Sequence, residues 1–133
     1  MSLRQLLHRF RKLDAWLLVP AVLVVVYGEL AHSTPISELE GLVWDKALHF
    51  TAYFGLALMA TIAVRADRRA LWAAVGLIVL GGGLEIVQGV TGRDADVWDE
   101  TANTLGVLCG AGLAWAGIAF LRARQLVDGK GPD

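Results

Sequence analysis

Residues 70–90 read ALWAAVGLIVLGGGLEIVQGV, and only Glu85 and Gln88 interrupt a run of apolar residues and glycines. A helix rising 1.5 Å per residue covers about 30 Å over this length, which is the thickness of a bilayer's hydrocarbon core. Three further segments have the same character: Ala15 to Ala31 (AWLLVPAVLVVVYGELA), Ala47 to Val64 (ALHFTAYFGLALMATIAV) and Thr104 to Leu121 (TLGVLCGAGLAWAGIAFL). Pro20 lies inside the first, where a membrane helix tolerates it with a kink. No alternating strand pattern of the β-barrel kind is present.

Composition agrees with this reading. The 133 residues are 56% hydrophobic and their mean hydropathy is +0.53, whereas soluble domains are about half apolar. The expected fold is therefore all-α: an integral membrane four-helix bundle in one domain. Residues 1–14 form a basic cytoplasmic segment, 15–121 the transmembrane domain, and 122–133 a cytoplasmic tail expected to be disordered. Cys109 is the one cysteine, so no intrachain disulfide and no cysteine-based metal site are possible. In an apolar helix it is expected to act as small packing filler.

The charges orient the bundle. Ten of the twelve Lys and Arg flank the segments on one side if the helices alternate: Arg4, Arg9, Arg11, Lys12, Arg65, Arg68, Arg69, Arg122, Arg124 and Lys130. Lys46 and Arg93 fall on the other side, together with Glu29, Glu38, Glu40, Asp45, Glu85, Asp94, Asp96, Asp99 and Glu100. The positive-inside rule then places both termini in the cytoplasm, an N-in/C-in topology. Trp16 and Trp72 fall at inner interfaces and Trp44 and Trp98 at outer ones, as an aromatic belt requires. The basic start, apolar core and Ala31-His32-Ser33 also fit a cleavable signal peptide. The long apolar stretch and the charge symmetry favour a retained first helix.

The polar residues of the outer end have helical spacing. In DKALHFTAY, residues 45–53, His49 lies about 40° from Asp45 around the helix, Tyr53 about 80° and Lys46 about 100°, so all four fit one face. Glu85 and Gln88 are three apart near the outer end of the third segment. Asp99 and Asn103 are four apart before the fourth, and Gly106 and Gly110 continue their face with the spacing that lets helices pack closely. Ionisable groups in a membrane cost about 2.5–3.5 kcal/mol near a helix centre, and they usually face the bundle interior and pair. Three segments that place such groups at one depth imply a shared polar pocket at the outer leaflet.

Two kinds of chemistry and a bland alternative follow. A carboxylate one turn from a histidine can orient the imidazole for acid–base work, which makes His49, Asp45, Glu85 and Asp99 the candidate catalytic residues. No serine or cysteine nucleophile has local support. Lys46, Tyr53, Gln88, Arg93 and Asn103 are the candidate substrate-binding residues, with Lys46 and Arg93 suited to a phosphate or carboxylate. A divalent site built from Asp45, His49, Glu85 and Asp99 is chemically conceivable, yet Lys46 and Arg93 oppose a cation, so no metal or cofactor is expected. The alternative is a hydrogen-bonded network that only holds the helices together, at about 0.6 kcal/mol per bond. A channel is disfavoured because the inner halves of the segments lack charges. The basic residues serve topology, so no nucleic-acid partner is expected.

These same residues carry a resemblance. DKALHFTAY, then GLEIVQ (83–88), then GR (92–93) and DETANTLGVLCG (99–110), resemble the VanZ-like family of small bacterial membrane proteins. That pattern falls here on Asp45, Lys46, His49, Phe50, Tyr53, Glu85, Gln88, Arg93, Asp99, Asn103 and Gly106, between Asp45 and Gly110. The first segment agrees only in being apolar, and Asp96 stands where a small polar residue such as serine is expected. The resemblance implies a bacterial plasma membrane and an envelope role, since the family is named for a member linked to teicoplanin resistance; it supplies no mechanism. The implied partner is a membrane lipid, a lipid-linked cell-wall precursor or a glycopeptide-type antibiotic, with an enzyme acting on a lipid headgroup or lipid-linked intermediate as the alternative. Oligomeric state is left open.

Overall fold

The computed structural model describes residues 3–31, 42–92 and 96–127, with side chains over 12–31, 45–92 and 96–124. Arg93, Glu38, Glu40, Asp94 and the side chain of Trp44, all assigned to the outer end above, lie outside that range. Four helices account for the described chain: α1 (Leu3–Leu30), α2 (Leu42–Ala63), α3 (Arg68–Val90) and α4 (Val97–Val127). There is no strand among the described residues. Each helix contains a stretch long and apolar enough to cross a membrane.

α1 begins inside the basic segment and runs through Pro20 without a break. Residues 122–127, placed in the tail by sequence, continue α4. α4 also starts seven residues before its apolar segment. Asp96 provides the reason: its side chain accepts from the Trp98 N–H at 2.9 Å and its carbonyl from the Asp99 N–H at 2.9 Å, so it caps the helix. Asp99 and Glu100 then occupy the first turn, where the helix dipole favours anions. Asp67 does the same for α3, accepting from the Arg69 N–H at 2.7 Å. Between α2 and α3 the chain turns through Arg65 and Ala66, both with positive φ.

α2 touches all three other helices, and its pairing with α4 is the most extensive, whereas α1 and α4 barely meet. Glycine allows that pairing. A Cβ on Gly106 would collide with the Phe50 carbonyl oxygen and one on Gly110 with that of Phe54, so the expected close approach is present and its partner is the α2 backbone. The apolar core joins Tyr53, Leu56, Ala57, Leu77 and Val107, with Leu18, Ala21, Val22 and Val25 of α1 laid against it. Outward faces carry Trp16, Val24, Tyr27, Trp72, Ile86 and Trp98, each at least two-thirds exposed, as lipid-facing side chains would be. Cys109 also points outward and is not packing filler.

The helices run antiparallel in sequence order. The C-terminal end of α1 meets the N-terminal end of α2, the C-terminal end of α3 and the N-terminal end of α4 through Glu29, His49, Gln88 and Asn103. At the opposite end the Arg122 guanidinium donates to the Arg65 carbonyl at 2.7 Å. Of the lysines and arginines with described side chains, only Lys46 belongs to the first end.

Candidate functional site

His49 organises the polar end. Its Nδ1 lies 3.1 Å from Asn103 Oδ1, and the Asn103 amide nitrogen points the other way, toward Glu100 Oε2 at 3.4 Å. With its NH2 turned to a carboxylate, Asn103 presents its oxygen to the ring, which places the histidine proton on Nδ1. Glu29 Oε1 stands behind the same nitrogen at 3.6 Å. Nε2 is left facing Asp45 Oδ1 at 3.7 Å, beyond hydrogen-bond reach. The shared helical face of Asp45, Lys46, His49 and Tyr53 is therefore real, but the four point at different partners.

Lys46 reaches across to α4. Its ammonium donates to Asp96 Oδ2 at 2.6 Å and Asp99 Oδ1 at 2.7 Å. Two of its three hydrogens are thus committed. The Asp96 carboxyl, at the mouth of α4, is held below the usual carboxylate range, first by the hydrogen bond from Lys46 and then by the Trp98 N–H. Glu85 Oε2 accepts from the Asp96 backbone N–H at 3.1 Å, so α3 joins the network through the main chain of the α3–α4 connection. Gln88 donates to the Glu29 carbonyl at 2.7 Å and ties α3 to the end of α1. Tyr53, with no exposed surface, points its hydroxyl at Glu29 Oε2, 3.5 Å away.

Of the nine residues nominated by sequence, eight are described; seven join this network and Asp45 stands beside it, facing His49 Nε2; Arg93 lies outside the described residues. Besides Asp96, which binds Lys46 and which the sequence marked only as an unexpected acid, three contributors were missed. Glu29 brings the first helix into a site assigned to the other three. Its signal was an isolated acid near the end of an apolar span, a position where ionisable groups are rarely idle. Glu100 braces Asn103 and accepts from Thr104 Oγ1 at 3.2 Å. Gly81 is the third: a Cβ there would stand 2.6 Å from Glu100 Oε2 and 3.1 Å from Asn103 Nδ2. The run Gly81-Gly82-Gly83 was its only trace in the sequence.

The site is deep on one side and open on the other. Tyr53, Glu85, Gln88, Asp99 and Asn103 are buried, and His49 and Glu29 nearly so. Asp45, Lys46 and Asp96 form a rim, with about a third of each side chain accessible. No buried side-chain nitrogen or oxygen among the described residues lacks a hydrogen-bond partner. Chemically, the arrangement offers an oriented imidazole, an ammonium held by two carboxylates and a surplus of carboxylates. No family model, curated protein or solved structure matches the chain.

Proposed function

We propose that this is a VanZ-like multi-pass protein of the bacterial cell membrane with both termini in the cytoplasm. Its polar site at the outer leaflet binds the head of an envelope amphiphile: a surface lipid, a lipid-linked cell-wall precursor or a glycopeptide-type antibiotic. The observation that carries this reading is the convergence of α1, α2 and α4 on His49 and Lys46, joined by α3 through Glu85 and Gln88, with a rim at Asp45, Lys46 and Asp96 that a polar head can reach. A network serving packing alone gains nothing from an accessible rim. The enzymatic version, with His49 and the carboxylates acting on a lipid headgroup or lipid-linked intermediate, uses the same groups.

One observation favours a purely structural role. Every buried polar side-chain atom among the described residues is satisfied without a ligand. His49→Gln separates the two, because glutamine keeps hydrogen bonding and loses imidazole chemistry. Cells expressing the variant are compared with wild type for glycopeptide susceptibility, with folded protein quantified. Under the binding reading the melting temperature in detergent holds and the phenotype disappears. Under the structural reading the phenotype falls only as folded protein falls, as it also would for Asn103→Leu.

A further inference from the structure

Three ligand atoms come together just beneath the rim. One oxygen each from Asp45 and Asp99 and one imidazole nitrogen of His49 lie within 4.8 Å of one another. Two come from consecutive turns of α2 and the third from the first turn of α4, so the close α2–α4 packing brings the set together. We infer that Asp45, His49 and Asp99 bind a divalent transition-metal cation of the Zn2+ or Mn2+ class.

The histidine carries the argument. A metal-bound imidazole usually donates its other N–H to an oxygen, which sets the tautomer and aims the lone pair at the ion. His49 has this arrangement: Asn103 Oδ1 takes Nδ1 and Nε2 faces Asp45. The Nε2 to Asp45 Oδ1 distance of 3.7 Å is too long for a hydrogen bond. It is close to the separation of roughly 3–3.5 Å between two ligands that each stand about 2.1 Å from one ion. The Asn103–Glu100 contact, which the missing Cβ of Gly81 admits, keeps the Asn103 oxygen turned to the ring and so favours this tautomer.

Charge supports the same conclusion, and it overturns the objection that Lys46 repels a cation. Lys46 is already bound by Asp96 and Asp99. Asp96 and Asp99 together already outnumber that one ammonium, and Asp45, which faces His49 instead, adds a third carboxylate, leaving negative charge over at this end. Asp99 holds Lys46 through Oδ1, and its second oxygen remains to ligate. Glu85, counted among the metal candidates by sequence, is instead turned to the Asp96 N–H and is not a ligand. One imidazole with two carboxylates suits Zn2+ or Mn2+ better than Ca2+, which takes oxygen ligands. Three protein ligands, of which Asp45 lies at the rim, leave coordination positions open to water or an anionic group, as in catalytic rather than structural sites. The inference stands whichever amphiphile the site receives.

The test uses the full chain in detergent, without a histidine tag and stripped with a chelator. Titration with Mn2+ or Zn2+ should show one saturable equivalent, weakened at least tenfold by Asp45→Asn and by His49→Gln and unchanged by Asp67→Asn at the opposite end. Asp45→Asn is the safer variant, because Asp45 lies on the rim. Pulsed EPR of the Mn2+-loaded wild type should show coupling to one histidine nitrogen, which requires no variant to fold. Absence of stoichiometric binding, bound Mn2+ without nitrogen coupling, or full binding by folded Asp45→Asn protein would each overturn the site.

Discussion

Lys46 and Asp99, fifty-three residues apart, join the N-terminal ends of α2 and α4 through an ammonium–carboxylate contact of 2.7 Å. The carboxylate is nearly enclosed, and the ammonium is also shared with Asp96. Removing the cation therefore leaves a buried anion without its counter-charge. Exposed pairs contribute about 0–1 kcal/mol, and breaking fully buried ones costs about 3–5 kcal/mol. Lys46→Met should fall between, near 2 kcal/mol, read as a lower melting temperature in detergent. Adding Asp99→Leu to the same chain should recover part of the loss, because the stranded charge goes with it. A Lys46→Met protein as stable as wild type would show that the contact contributes nothing.

Gly106→Ala and Gly110→Ala should each destabilise the bundle by about 1–3 kcal/mol, the usual cost of overpacking. Each new methyl would press on an α2 carbonyl, and a backbone cannot step aside as a flexible side chain can. Gly117→Ala, where nothing lies within 4 Å of the added carbon, is the matched control and should lose no stability. Equal melting temperatures for all three variants would contradict the packing described for α2 and α4.

Acid should weaken the mouth of α4. Lys46 and the Trp98 N–H lower the folded-state pKa of Asp96 from its ordinary 3.8. A carboxyl depressed in this way contributes stability above its unfolded value and loses that contribution as pH falls through the folded one. The stability difference between wild type and Asp96→Asn should thus be constant near neutrality and shrink below about pH 4. A difference that stays constant to pH 2 would refute the Lys46–Asp96 linkage.

Orientation can be checked with single cysteines in a chain whose exposed Cys109 has been replaced. Gly92 and Arg68 lie at opposite ends of the bundle and are both exposed. Ala66, at the same turn as Arg68, is buried and unsuited to labelling. In intact cells an impermeant thiol reagent should label Gly92→Cys and spare Arg68→Cys, because the basic end stays in the cytoplasm. The reverse pattern would place the polar site inside and remove the outer-leaflet reading.

The sequence by itself determined four apolar spans and the separation of basic from acidic ends. It also determined the membership of most of the site. Hydropathy over twenty residues and a 100° periodicity are properties of one helix at a time, so they can be read along a single chain. What the polar residues of α2 face depends on how the helices rotate about one another, and only the tertiary structure decided that. It sent Lys46 to Asp96 and Asp99, His49 to Asn103, and Tyr53 to Glu29. It added Glu29, because the last turn of α1 lies against α2 and α3, which no spacing within α1 reveals. It started α4 at Val97 because Asp96 caps that end, and a cap is a matter of hydrogen bonds rather than hydropathy. It gave Gly81 a purpose, since the room a missing Cβ leaves has meaning only once Glu100 and Asn103 of another helix fill it.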